Sequence, residues 1–171
     1  MCEYPHVLVT GRAIALCLAA SGYHVYSGVR TYAGGVALHQ HTPPGAGILT
    51  PLLLDISRPI QIMAAVRTVT AHAGPAGLTG LVSYAGTDGS GLRPGLSATA
   101  ELAVTRAFVP LLCRAQGRIV MTGPAGTLRS ELAPWNIDVI VIEPAACAGA
   151  VARALAAPPA AGRGRIVSMT L

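Results

Sequence analysis

The sequence contains no lysine, because all twelve of its basic residues are arginines. Charged residues make up only 11% of the 171 residues, hydrophobic residues make up 52%, and the net charge is +5 at pH 7. The absence of lysine excludes any chemistry that needs a side-chain amine, since arginine does not release its proton in proteins. The arginines are spread along the chain without a cluster and without interleaved aromatic residues, which disfavours nucleic-acid binding.

Long apolar runs are also missing, although the mean hydropathy is +0.55. No stretch of about 18 uncharged apolar residues is present, so we expect no membrane-spanning segment and no membrane partner. The first residues, Met1 to Pro5, contain no basic region ahead of an apolar one, which disfavours a secretory signal. The sequence therefore predicts a cytoplasmic location.

Cysteine pairs with the spacing of metal or redox motifs are absent. The four cysteines are far apart, and Cys17 and Cys113 fall within helical apolar patterns, which predicts buried free thiols. His39 and His41 are one residue apart, but no carboxylate or cysteine lies near them in the sequence. A solvated loop is therefore a better interpretation of this pair than a metal site.

The segment from His6 to Arg30 is the clearest structural signal in the chain. An apolar run ends at Thr10 and Gly11, an Ala- and Leu-rich segment continues to Gly22, and a second β-prone run begins at Val25. This order predicts a strand, a helix and a second strand. A length of 171 residues is sufficient for one domain with a substantial core, so we expect residues 1–171 to form a single domain.

The rest of the chain continues the alternation of strands and helices. The Gly- and Pro-rich residues 31–47 predict a loop with at most a short helix, and Ser57 and Pro59 suit the start of a helix. Further strands are predicted at residues 48–56, 78–84, 118–122, 137–142 and 165–169, and further helices at 98–115, 128–133 and 151–157. This pattern predicts an α/β fold, a doubly wound parallel sheet of six to seven strands with helices on both faces.

Three stretches of the sequence resemble the short-chain dehydrogenase/reductase family. They are the strand ending in Thr10 and Gly11, the segment LDISRPIQIMAAVRTVTAHAGPAGLTGLVSYAG at residues 54–86, and ELAPWNIDV followed by Glu143 and Pro144. The resemblance implies a Rossmann-like domain with strand order 3-2-1-4-5-6-7. It also implies an oxidoreductase that acts on a carbonyl or alcohol with NADP(H).

The resemblance also implies a cofactor site. An arginine after the second strand, Arg30, suits the 2′-phosphate of NADP, although a surface arginine is an equal alternative. Asp55 matches the residue that accepts from the adenine amino group, with a helix cap as the alternative, and Ile56 would supply a backbone N–H. The remaining members of the implied site are the pyrophosphate connection Thr10, Gly11 and Arg12, and the pocket-lining Ala85 and Gly86.

The sequence departs from the family pattern at the functional segments. Two later glycines of the phosphate-binding loop are missing, which predicts weak binding of NADP, with NAD as the alternative cofactor. The tyrosine and lysine of the family's catalytic motif are absent, and the motif serine is at best replaced by Thr122. Tyr84 is the only tyrosine near the expected site that could act as a stand-in acid.

Two further hypotheses follow from these departures. The chain is a non-catalytic nucleotide-binding or protein-interaction module, or it is the product of a shortened gene. Expected partners are a dinucleotide, a small carbonyl or alcohol substrate, and a second copy of the chain if shortened loops leave apolar surface uncovered.

Overall fold

A computed structural model of the chain describes residues 4–42, 47–83, 96–122, 128, 131–135, 137–142, 148–157 and 166–169. Within these residues, seven strands form one sheet in which every neighbouring pair is parallel. The strands are β1 His6–Val9, β2 His24–Val29, β3 Leu49–Leu53, β4 Gly80–Ser83, β5 Arg118–Thr122, β6 Asp138–Ile142 and β7 Ile166–Met169.

The strand order is β3-β2-β1-β4-β5-β6-β7, which confirms the predicted order. Leu8 of β1 lies between Tyr26 of β2 and Leu81 of β4, and the winding direction reverses between β1 and β4. Open parallel sheets bind ligands outside the carboxyl ends of the strands at such a reversal. A ligand site is therefore expected at the residues that follow β1 and β4.

Helices cover both faces of the sheet, as predicted. In the described residues the α-helices are α1 Arg12–Ala20, α2 Tyr32–Gln40, α3 Pro59–Ala73, α4 Leu96–Ala115 and α5 Ala148–Ala156, with short 3₁₀ turns at Gly74–Ala76 and Ala133–Trp135. Residues 128, 131 and 132 are helical, and the rest of the predicted helix at 128–133 either joins the second 3₁₀ turn or lies outside the described residues. None of the described helices is long and apolar enough to cross a membrane.

Alternate residues of strands β1 to β6 enter two separate apolar cores. On one face, Leu8, Tyr26 and Leu81 pack with buried residues of α3 and α4 such as Val69 and Phe108. The other core contains buried residues of α1, α2 and α5 packed against Val7, Val9, Val25, Val82 and Val120. Side chains of a strand point alternately to the two faces, so near-continuous apolar strands fill both cores.

A nine-residue helix, α2, occupies much of the region for which the sequence predicts a loop. The side chain of Thr31 caps it by accepting from the backbone N–H of Gly34 at 3.1 Å. Gly35 is buried, and a Cβ at that position would lie 3.2 Å from the Cβ of Pro51. The glycines here permit close packing of the helix on β3, and they do not end it.

Two other local expectations are wrong. Ser57 does not cap α3, since the N-cap residue is Arg58 and Ser57 instead donates to Asp55. Cys113 is exposed because it lies outside the buried face of α4, whereas Cys17 is half-buried. Both thiols are free, and Cys2 and Cys147 lie outside the described residues.

Candidate functional site

The connection after β1 is hydrogen-bonded to the end of β4. The backbone N–H of Thr10 donates to the carbonyl oxygen of Val82 at 3.1 Å, and the Thr10 hydroxyl donates to the same oxygen at 3.4 Å. Gly11 is buried, has extended dihedral angles and forms the N-cap of α1 without a side-chain cap. The predicted two-residue connection, Thr10 and Gly11, is therefore confirmed and lies at the reversal of the winding.

The amino end of α1 points its first N–H groups to this edge of the sheet. The first bond of the helix joins the N–H of Ala15 to the carbonyl of Gly11 at 3.1 Å, so the N–H groups of residues 12–14 precede the helical ladder. These groups and the positive end of the helix dipole favour an anion. The arrangement is suited to a phosphate, even though the connection is short and Gly11 is its only glycine.

Arg12 adds a positive side chain at the same helix end. It is exposed, and its Nη2 lies 3.1 Å from Nδ1 of His41, the C-cap residue that follows α2. This contact joins the amino end of α1 to the carboxyl end of α2, and no local sequence pattern predicts it. His39 belongs to α2 and not to a loop, and the described residues contain no cluster of side chains suited to a metal ion.

Arg30 and Asp55 follow two neighbouring strands and share one edge of the sheet. The Asp55 side chain is 32% exposed, and its Oδ1 accepts from the Ser57 hydroxyl at 2.6 Å and from the Ser57 N–H at 3.0 Å. These two hydrogen bonds lower the pKa of Asp55, burial opposes them, and the positive charges of Arg30 and Arg58 lower the pKa further. Asp55 is consequently an ionised acceptor at neutral pH.

Asp55 does not cap α3, which was the alternative interpretation from the sequence. Its side chain closes a turn that precedes the helix, and its carbonyl accepts from the N–H of Arg58 at 2.9 Å. The Asp55 N–H donates to Oε1 of Gln61 at 2.7 Å, which fastens the turn to the first turn of α3. The second carboxylate oxygen, Oδ2, lies 3.6 Å from Nε of Arg58.

A narrow crevice of about 10 Å³ joins several of these elements. It brings Thr10 and Ile56, two predicted site residues, together with Ser83 at the end of β4. Its other polar lining residues, Glu101 and Thr105, come from α4 and were not predicted. The sequence signal that could have identified them is their spacing, because residues four positions apart lie on the same side of a helix, and polar residues on the buried side are unusual. The full lining is Thr10, Ile56, Leu81, Ser83, Glu101, Val104 and Thr105.

Of the two predicted catalytic residues, the structure describes only the position of Thr122. Tyr84, Ala85 and Gly86 lie outside the described residues. Thr122 is the last residue of β5 and pairs with Ile142, and the preceding residue Met121 pairs with Ser83. Its backbone is therefore at the carboxyl edge of the sheet, next to the end of β4. The roles assigned to Thr122 and Tyr84 stay predictions.

A second polar cluster lies at the opposite, amino edge of the sheet. His6 Nδ1 is 3.0 Å from the Tyr26 hydroxyl, and His24 Nε2 is 2.9 Å from the Thr50 hydroxyl. His72 of α3 stacks near His24, with 6.4 Å between the ring centroids. Burial, followed by the charges of His6 and His72, lowers the pKa of His24 to about 4, and burial raises the pKa of Tyr26 to about 12.

Comparisons with known proteins agree with this fold. No family model matches the sequence. The chain is 30% identical to retinol dehydrogenase 5 of Mus musculus over 168 residues, which covers 78% of this chain and 52% of the mouse protein. It is 29% identical to the human protein of the same name, with the same coverage. The chain thus spans about half the length of the curated relatives it matches.

Solved structures also resemble the chain along most of its length. A short-chain dehydrogenase/reductase from Sinorhizobium meliloti, described as putative, has a TM-score of 0.73 and 20% identity, covering 98% of this chain and 96% of its own. A metagenomic short-chain oxidoreductase in complex with NADP has a TM-score of 0.71 and 19% identity, covering 98% and 97%. The sequence relationship and these solved structures show that this chain has the Rossmann-type fold of the short-chain dehydrogenases/reductases.

Proposed function

We propose that the chain binds NADP(H) at the edge formed by Thr10, Gly11 and the end of β4, and that it does so weakly. The proposal rests mainly on the hydrogen bond from Thr10 to the carbonyl of Val82. This bond holds the first N–H groups of α1 at the carboxyl edge of the sheet, between β1 and β4, where the strand order reverses. NADP is the ligand named for the metagenomic oxidoreductase of the same fold. The short-chain dehydrogenases/reductases, which this chain resembles, oxidise alcohols or reduce carbonyls, and retinol is an alcohol.

The charge pattern of the described residues supports a phosphorylated dinucleotide. Arg12 and the amino end of α1 suit the pyrophosphate, and Arg30 suits the additional phosphate of NADP. Asp55, with a lowered pKa, is an acceptor for the adenine amino group, and the neighbouring Ile56 would supply its N–H. Ala85 and Gly86 complete the proposed pocket.

Weak binding follows from the short connection. Each hydrogen bond to a charged oxygen that the missing glycine loop would have made costs about 1.5–3 kcal/mol when it is lost. Two such losses reduce affinity by roughly two to four orders of magnitude. We therefore propose a dissociation constant for NADP(H) weaker than micromolar, and a still weaker one for NAD(H).

Turnover is proposed to be slow or absent. When bound, the dinucleotide supplies or accepts the hydride, and the protein must supply a proton to the substrate oxygen or remove one. Positioned acid–base groups contribute roughly 10²–10⁴-fold to rate. Here no lysine is available to lower the pKa of a tyrosine, and Thr122 replaces the serine at best. A non-catalytic nucleotide-binding module is therefore the second candidate function.

Titration of NADPH with the protein, followed by cofactor fluorescence, tests the binding proposal. Arg30→Ala is expected to weaken NADPH binding about tenfold while leaving NADH binding unchanged, because only NADPH carries the 2′-phosphate. Arg67→Ala is the matched control, since it removes an exposed arginine from α3 with the same change in net charge. Equal losses in the two variants would show that Arg30 does not read the phosphate.

A panel of simple aldehydes and ketones separates the two candidate functions. Steady NADPH oxidation that is lost in Tyr84→Phe and retained in Thr122→Ala would establish Tyr84 as the stand-in acid. Binding of NADPH without turnover on any substrate would favour the non-catalytic module.

A further inference from the structure

An apolar groove of about 500 Å³ lies between α2 and β3, at one edge of the sheet. β3 is the last strand on this side, and its outer edge pairs with no other strand in the part of the chain that the structure describes. The lining includes Val29, Tyr32, Val36, His39, Pro51 and Leu53. The groove shares no lining residue with the crevice at Thr10, so the two features are distinct.

Two large side chains of α2 project beside this groove. Tyr32 is 81% exposed, more than any other large apolar side chain in the described residues, and Val36 is 59% exposed. They are four positions apart, so they lie one turn from each other on the same side of the helix. An exposed apolar ridge next to an apolar groove indicates an interaction surface, and tyrosine is enriched in such surfaces.

The backbone of β3 limits what can bind at this edge. The carbonyl of Ile48 accepts from the N–H of Val25 at 2.7 Å, and the N–H of Leu54 donates to the carbonyl of Val29 at 2.9 Å. Backbone groups of successive residues point to opposite sides of a strand, so the groups of Pro51 point away from β2. Proline has no N–H to donate, which disfavours the addition of an extended chain as a further strand. A partner must therefore pack its side chains into the groove.

The absence of charge in the groove indicates which partner this is. No residue of its lining is Asp, Glu or Arg, and α2, Tyr32–Gln40, contains none of them either. Residues 4–54 contain no acidic residue, and their only arginines are Arg12 and Arg30. The chain carries a net charge of +5, so two copies repel each other least where they meet on an uncharged surface. The groove and α2 together form such a surface.

We propose that this surface joins two copies of the chain in a homodimer, in which each copy places Tyr32 and Val36 in the groove of the other. One helix supplies both the ridge and a wall of the groove, so the surface is self-complementary, as a twofold interface requires. A helix of nine residues is only about 14 Å long, so the interface is small. We expect a dissociation constant of about 10–100 µM, because small interfaces belong to weak complexes.

Sedimentation velocity at a series of protein concentrations tests the dimer. The wild type should show a reversible equilibrium between monomer and dimer. Tyr32→Asp should weaken dimerisation at least tenfold, because it places a carboxylate in each apolar groove. An acidic residue in the first turn of a helix does not destabilise the helix, so this variant should remain folded.

Ile60→Asp is the matched control. Ile60 is 76% exposed and lies in the first turn of α3, so its replacement also exchanges an exposed apolar side chain for a carboxylate at the start of a helix. Ile60→Asp should dimerise as the wild type does. Equal losses in the two variants would overturn the proposal. A wild type that is monomeric at every concentration would also overturn it and would assign the groove to a different partner.

The salt dependence distinguishes apolar contact from pairing of opposite charges. Raising the NaCl concentration from about 0.05 M to about 0.5 M shortens the Debye length from about 14 Å to about 4 Å. The repulsion between two positively charged copies then falls, whereas the apolar contact is kept. Dimerisation of the wild type should become at least twofold tighter. A dimer that weakens with salt would be held by opposite charges and would contradict the proposal.

Crosslinking locates the interface on the chain. Val36→Cys and Met63→Cys each place a thiol at a position of similar exposure, 59% on α2 and 64% on α3. A short bismaleimide, which joins two thiols without oxidation, should link Val36→Cys into covalent dimers in higher yield than Met63→Cys. The wild type measures the background from the native cysteines. Equal yields from the two variants would show that the copies do not meet at α2.

Discussion

Acidification is expected to destabilise the fold through His24, at the amino edge of the sheet. The pKa of His24 falls from 6.5 in its ordinary environment to about 4 in the folded chain, because of burial and then the charges of His6 and His72. The unfolded chain therefore binds more protons than the folded chain between these two pH values. This contribution to stability is complete above pH 6.5, declines as the pH falls towards about 4, and does not change further below.

The magnitude follows from the size of this pKa difference. Integrating between pH 7.5 and pH 4.5, at about 1.4 kcal/mol for each unit, gives a loss of about 2.6 kcal/mol. His24 is only half-buried, and water screens part of the interaction, so we expect a loss of about 1–1.5 kcal/mol. Asp55 does not contribute in this window, because its pKa lies below 3.8 and its stabilisation is lost only at more acid pH.

Urea unfolding of the wild type and of His24→Gln at pH 7.5 and pH 4.5 measures this contribution. Glutamine does not titrate, and its amide can donate to the Thr50 hydroxyl that His24 contacts. The wild type should lose about 1–1.5 kcal/mol more than the variant on acidification. His39→Gln, on the exposed surface of α2, is the control and should behave as the wild type. An equal pH dependence of the wild type and His24→Gln would refute the reasoning.

Two substitutions test the local packing of the fold. Gly117→Ala should lower the free energy of unfolding by about 1–3 kcal/mol, because the new Cβ overlaps the Leu78 carbonyl oxygen. Gly22→Ala has open space and should cost only about 1–2 kcal/mol for its positive φ, so a larger loss at Gly22 would contradict the packing reason. Thr31→Ala should cost about 1 kcal/mol through loss of the cap of α2 while Thr31→Ser costs little, and equal thermal midpoints for both would show that the cap is dispensable.

The sheet could be predicted from the sequence because its signals are local. Apolar strands such as Val7 to Val9, each followed by a turn and an amphipathic helix, indicate a parallel sheet without knowledge of the tertiary contacts. The order of the strands came from the resemblance to a family. The extent of α2 could not be predicted, because glycines usually end helices. The reason that they do not end this one is the packing of Gly35 on Pro51 of β3.

Only the part of the candidate site that follows a local sequence pattern could be predicted. Thr10 and Gly11 follow a strand directly, and their position at the reversal of the winding was expected. The contact of Arg12 with His41 and the histidine cluster at the amino edge join distant parts of the chain. No local pattern marks such contacts, since each histidine alone is compatible with an exposed surface position.

Calorimetric titration of the protein with NADP⁺ and with NAD⁺ tests the central claim most directly. We predict a dissociation constant for NADP⁺ that is weaker than micromolar but measurable, and at least tenfold weaker binding of NAD⁺. The difference rests on Arg30, and the weakness of both rests on the short Thr10 and Gly11 connection. A micromolar dissociation constant for NAD⁺ together with no heat for NADP⁺ would contradict both parts of the account.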